Sequence, residues 1–124
     1  MMSRRAELEL LDAISTYFHH ATPGLGPKVE LYQNAEWGMR QRDRALRAMD
    51  YFDTVLQRQP FIAGDAFSMA DITVIGAFIF AAIVKLEVPA EHRTLHAWHA
   101  RMQERPSVLA WRRMVEETRE RLAA

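Results

Sequence analysis

One hundred and twenty-four residues make a single domain, able to bury about two-thirds of the surface that its unfolded chain exposes. Sixteen basic and sixteen acidic residues cancel, which removes the electrostatic case for nucleic acid or an anionic membrane as a partner. The absence of cysteine excludes a disulfide framework, a thiol nucleophile and a thiolate metal site, and suits a reducing cytoplasm. The N-terminus shows no apolar secretory core, and the apolar run Ile72 to Val84 falls short of the roughly 20 residues that span a bilayer.

In chain order, Leu10, Leu11, Ile14, Tyr17 and Phe18 recur at one-face helical spacing, in a first helix that starts near Ser3 and ends before Pro23. Pro23, Gly24, Gly26 and Pro27 mark residues 22–35 as an irregular loop. A long second helix is expected from Ala35 to Gln59, with Trp37, Leu46, Met49, Phe52 and Leu56 inward and Pro60 stopping it. The third helix ends near Leu86, ahead of Pro89. A fourth, about Glu91 to Glu104, carries Leu95, Trp98 and Met102 at i, i+3 and i+7. Pro106 breaks it, and a last helix turns Val108, Trp111 and Val115 inward. The pattern predicts an all-α, five-helix bundle around a buried central helix, one domain over residues 1–124.

The third helix has the clearest start. Ser68 stands at its N-cap, with Asp71 at N3 able to reach back to the N–H of Ser68 while the Ser68 hydroxyl accepts from the turn. Phe67 at N′ and Ile72 at N4 complete the pattern as a hydrophobic staple. Asp instead of the usual Glu or Gln implies a tight, buried box. The box engages both Ser68 and Asp71, and no Gly-x-Ser-x-Gly elbow exists, so a hydrolytic triad is excluded.

His92, His96 and His99 fall within about 60° of one another on a helical wheel, a workable metal-ligand spacing. No carboxylate completes a site at a motif spacing, and the wheel puts them on the solvent shoulder of the Leu95/Trp98/Met102 stripe; no metal is assigned. The aromatic and Met positions Trp37, Met49, Phe78, Phe80, Trp98 and Trp111 read as core. Arg112, Arg113, Glu116, Glu117, Arg119, Glu120 and Arg121 form a solvated, mixed-sign face. His19 and His20 close the first helix at the end where cationic side chains oppose the macrodipole.

The run from Phe61 through Gly64 and Phe67-Ser68-Met69-Ala70-Asp71-Ile72 resembles the start of the sixth helix of glutathione transferases, in their all-helical C-terminal domain. The resemblance extends through Leu95, Trp98 and Met102 to Glu104-Arg105-Pro106-Ser107, a common ending of the seventh helix. Upstream, Arg4 to Pro23 looks like the fourth helix and Trp37 to Leu56 like the fifth, so nearly the whole chain is covered.

That resemblance implies a division of labour. In the family a thioredoxin-like N-terminal domain holds most of the glutathione and supplies the Ser, Tyr or Cys that stabilises the thiolate. This chain offers no strand to carry such a domain's cis-proline loop, and nothing marks Tyr17, Tyr32 or Tyr51 as the missing hydroxyl. No catalytic residue is assigned, and the chain alone is not expected to conjugate glutathione, the cosubstrate once that half is supplied. Tyr17 to Pro23 looks like the end of the fourth helix over the cleft in bacterial members; by resemblance His19 and His20 lie on the glutathione side and Phe18 walls the electrophile pocket. The resemblance also implies a homodimer through the first two helices, or a separate thioredoxin-like partner, covering apolar surface on the first helix and the ends of the third. The other class kept open is a non-catalytic module that binds a protein or small hydrophobic molecules.

Overall fold

The computed structural model describes residues 1–124. Met2–Arg5 is α-helical, Ala6–Leu11 π-helical and Asp12–Ala21 α-helical again, and these three stretches run on without a break as α1. The inward stripe passes straight through the wider π turn, burying Ala6, Leu10, Ala13 and Ile14. The sequence carries no signal for that change of pitch.

Residues 22–34 fold back as an ordered loop, and α2 follows over Ala35–Leu56. Its start is capped by Asn34, whose Oδ1 accepts from the Trp37 N–H at 3.0 Å. It stops short of the expected Gln59, because Pro60 disfavours the helical region for the residue before it. α1 and α2 lie antiparallel: Met2 meets Tyr51 at one end, and Ala21 approaches Gly38 at the other. The crossing is so close that a Cβ on Gly38 would lie 2.7 Å from that of Ala21. Glycine at that point lets the hairpin close.

Helix α3, Met69–Ile83, is the central rod, burying Val74, Ile75, Ala77, Phe78 and Ala81. Ser68 N-caps it and the reciprocal box forms. The Ser68 hydroxyl accepts from the Ala70 N–H at 3.2 Å, and Asp71 Oδ2 accepts from the Ser68 N–H at 2.9 Å. Asp71 has no exposed surface and does more than cap: its Oδ1 accepts from the Ile62 N–H and from the Trp98 indole N–H, each at 3.0 Å. One carboxylate thus ties the preceding turn, the start of α3 and the next helix together. Phe67 is half-buried, with the Arg105 guanidinium 3.8 Å from its ring centroid, and Ile72 is exposed, the two bordering one groove.

Helix α4 spans Arg93–Gln103 and buries Leu95, Trp98 and Met102. Its own N-cap, His92, supplies no side-chain bond. Asp53 of α2 does so instead, Oδ1 accepting from the buried Leu95 N–H at 2.8 Å. α5, Pro106–Ala123, begins with proline at its first position, where a missing N–H costs nothing. Only Val108 of α5 is buried, so most of this helix projects from the bundle. The only β pairing is an isolated bridge between Phe61 and Gly64.

Two inward assignments are corrected. Trp37 is 48% and Trp111 42% exposed. In the first turn of α2 it is Gly38 that faces α1, and Trp111 lies beyond the one turn of α5 that packs.

Candidate functional site

Successive residues on a helix fan out by about 100°, and Phe18, His19 and His20 accordingly take three directions at the end of α1. Phe18 points at the C-terminal end of α3, its ring edge-on to that of Phe80 with centroids 5.4 Å apart. It helps wall a shallow cleft of about 280 Å³, whose other side is Ile83, Val84 and Lys85. His19 sits beside it, ring centroids 4.9 Å apart, and faces the loop. Its Nδ1 lies 2.9 and 3.1 Å from the two carboxylate oxygens of Glu30. A carboxylate can only accept, so Nδ1 carries the proton and Nε2 is left without an intramolecular partner.

His20 is engaged differently. Its Nδ1 accepts from the Asn34 N–H at 3.0 Å, which fixes the proton of the neutral ring on Nε2. Its ring stands edge-on to Tyr32. The structure therefore brings Phe18 and His19 to one edge and gives His20 to the anchoring of the loop.

That loop is pinned from several points. Gln33 Nε2 donates to the carbonyls of His19 and Thr22 at 2.9 and 2.7 Å, tying the loop to the end of α1. The Glu30 carboxylate lies against Gly24, φ +58°, in the space a Cβ would fill, so this position requires glycine for two reasons. Glu30, Gln33 and Asn34 escape sequence reading as site residues. Only Asn34, three residues before the first turn's Trp37, carries a recognisable capping signal; nothing local marks Glu30.

The three histidines of α4 do not share one task. His92 is buried, with Nδ1 3.9 Å from Asp53 Oδ2 and 4.0 Å from Asp50 Oδ1, so its place on a solvated flank is corrected: residues 50 and 53 of α2 close over it. His96 is exposed, its Nε2 within 3.2 Å of the Val88 and Pro89 carbonyls. His99 is half-buried, stacked on Trp98 and edge-on to Phe78, with Gln103 Nε2 at 3.1 Å. Burial first, then the nearby charges of His96 and Arg112, hold its pKa below the ordinary imidazole value.

Ser68 and Asp71 are both engaged in capping. Tyr51 lies under the Arg5 guanidinium, 3.7 Å from its ring centroid, and Tyr32 is exposed on the loop. Exposed apolar side chains are spread over the loop at Leu25, Leu31 and Tyr32, over α1 and α2 at Leu8 and Met39, and over α3 and α5 at Ile72, Ile83 and Met114. No helix is long and apolar enough to cross a membrane.

Residues 6–106 match the family described as glutathione S-transferase, C-terminal domain. The chain is 72% identical over 108 residues to glutathione S-transferase 2 of Saccharomyces cerevisiae, an overlap that is 87% of this chain and 46% of that protein. This chain therefore spans about half the length of the curated relative it matches. The crystal structure of Gtt2 from Saccharomyces cerevisiae superposes with a TM-score of 0.87 at 71% identity, covering 89% of this chain and 53% of that one. A glutathione S-transferase domain-containing protein of Marinobacter aquaeolei gives 0.84 at 44% identity, covering 87% and 53%. A glutathione S-transferase of class Gtt2 from Vibrio parahaemolyticus gives 0.71 at 27% identity, covering 87% and 48%.

Proposed function

We propose, because this chain belongs to the glutathione S-transferase family as a C-terminal domain, that it forms the electrophile side of an enzyme joining glutathione to hydrophobic electrophiles. A thioredoxin-like half supplies the main glutathione site and the group that stabilises the thiolate. In the reaction the sulfur bonds to the electrophilic carbon, the leaving group departs with its electron pair, and the thiol proton passes to solvent. Stabilising a thiolate needs a donor aimed at sulfur in a partly dry site. Phe18 walls the electrophile pocket and His19 lies toward glutathione, while His20 steadies the loop beside them through its bond from the Asn34 N–H.

The observation that carries this reading is the edge at the end of α1. An apolar ring and an oriented imidazole stand 4.9 Å apart, one facing the cleft beside α3 and the other held by Glu30. An electrophile that is apolar and a cosubstrate that is charged need such a boundary between them. The same reading takes the domain as cytoplasmic and as homodimeric through α1 and α2.

The test is to supply a thioredoxin-like domain and measure retention on immobilised glutathione and turnover of a chlorinated dinitrobenzene. Both are expected with the two parts together and neither with this chain alone. Phe18→Ala is expected to raise KM for the electrophile while leaving retention on glutathione unchanged. Turnover by the isolated chain, or none from any pairing, overturns the proposal; the latter outcome favours a non-catalytic binding module.

A further inference from the structure

The cleft beside Phe18 has one cationic side chain at its edge, and the backbone there is strained. Helix α3 ends in a paired closure: the Leu86 N–H donates to the Ala81 carbonyl at 2.8 Å and the Lys85 N–H to that of Ala82 at 3.2 Å. This closure puts Lys85 in the left-handed region, φ +60°, and Lys85 is the only residue other than glycine with positive φ. Glycine is the residue that such a closure favours, since a side chain there costs stability. A lysine there instead places a cation both at the negative end of α3 and on the edge of this cleft.

The surroundings leave its charge available. Lys85 forms no ion pair within 4.0 Å, as is true of most basic side chains here; four of the sixteen, Arg5, Arg40, Arg42 and Arg119, face a carboxylate. At the end of α1 the Phe18 carbonyl accepts from the Thr22 hydroxyl and the His19 carbonyl from Gln33 Nε2, so these two are already engaged. Glu30, whose carboxylate lies against Gly24 of the cleft, is 11% exposed and both its oxygens face His19 Nδ1. An aromatic ring laid against Phe18, Pro23 and Ile83 would carry its substituents to the Lys85 rim.

We infer that Lys85 is a specificity determinant of this cleft, which selects aromatic electrophiles bearing an anionic substituent such as a carboxylate or sulfonate. The electrophile role rests on the transferase reading; the binding preference does not, and it is measured without glutathione.

The experiment compares para-nitrobenzoate with its neutral relative para-nitrobenzamide, by two-dimensional amide NMR of the 124-residue chain, with site affinities read from Gly24 and Val84. The anion is expected to bind about two- to fivefold more tightly at low salt, the range for an exposed charge pair, with the ratio falling toward one as salt rises. In Lys85→Gln and Lys85→Gly the ratio falls to one while the amide affinity stays unchanged. Lys85→Gly relieves the left-handed strain, so a failure to fold does not cloud the result. Equal affinities in the unaltered chain, a preference surviving both substitutions, or shifts confined to the groove between α3 and α5 overturn the inference. Normal turnover in the two-part assay without this preference removes Lys85 alone; an intact preference without turnover removes the transferase reading alone.

Discussion

Replacing Asp71 with alanine tests the central joint of the fold. The carboxylate has no exposed surface and receives the N–H groups of Ile62 and Ser68 and the indole N–H of Trp98. Ile62 and Trp98 are themselves fully buried, so water cannot replace the lost acceptor. Each stranded buried donor costs about 1–3 kcal/mol, giving about 2–6 kcal/mol for the two. The lost cap adds about 1 kcal/mol. The expected total, about 3–7 kcal/mol, is a large part of the roughly 5–15 kcal/mol that holds a domain together. Asp71→Asn retains one acceptor oxygen for Ile62 and Trp98 but turns its amide N–H₂ toward the Ser68 N–H, so about 1–3 kcal/mol is expected. Urea unfolding followed by circular dichroism and by tryptophan fluorescence measures both. A loss below about 1 kcal/mol for the alanine variant, with the two probes coincident, refutes the assignment of Asp71 as a three-way joint.

Gly38→Ala, which in an open helix would be favourable, is expected to destabilise the protein by about 1–3 kcal/mol, because the new methyl meets both the Ala21 side chain and its backbone N at 2.8 Å; urea midpoints check it. Lys85→Gly is expected to raise stability by about 1 kcal/mol by relieving the left-handed backbone, read as a higher midpoint at unchanged slope. Asp53→Ala strands the buried Leu95 N–H and is expected to cost about 1–3 kcal/mol, with amide exchange accelerating first in the opening turn of α4. For His99 the folded pKa lies below the unfolded one, so the unfolded chain takes up a proton first as pH falls. Its contribution is present above the ordinary imidazole value of about 6.5 and is lost on acidification through the folded value. His99→Phe, which keeps a ring against Trp98, should therefore lose less stability than the unaltered chain between neutral and mildly acidic pH; an equal loss contradicts it.

The elements that could be read from the residues alone are those whose physics is local. Ser68 and Asp71 are three positions apart, and their box depends on one turn of backbone; the Leu95, Trp98 and Met102 stripe depends on one helical period. Sequence also places the α1 stripe correctly through a π turn it does not announce, because burial follows side-chain identity more than pitch. Trp37 and Trp111 misled for the converse reason. Their spacing fits the inward face, but one lies where Gly38 makes the contact and the other beyond the part of α5 that packs.

The site was visible only in part, for the same physical reason carried one step further. Phe18 and His19 mark the end of α1, yet what orients the imidazole is Glu30, eleven positions on, and what lets Glu30 approach is the missing side chain of Gly24. Likewise α4 takes its cap from Asp53, forty-two positions before Leu95, instead of from its own N-cap residue. Each of these pairs is selected by the closure of the bundle, so neither partner has a local pattern to betray it. Lys85 differs, because its signature is a residue type in conflict with its backbone. From sequence it is a lysine after an apolar helix, as charge complementarity would favour; only φ +60° shows that glycine was the easier choice. The tight joints of this domain thus follow from packing, whereas Lys85, on the rim of the cleft, holds a backbone conformation that glycine would adopt at lower cost.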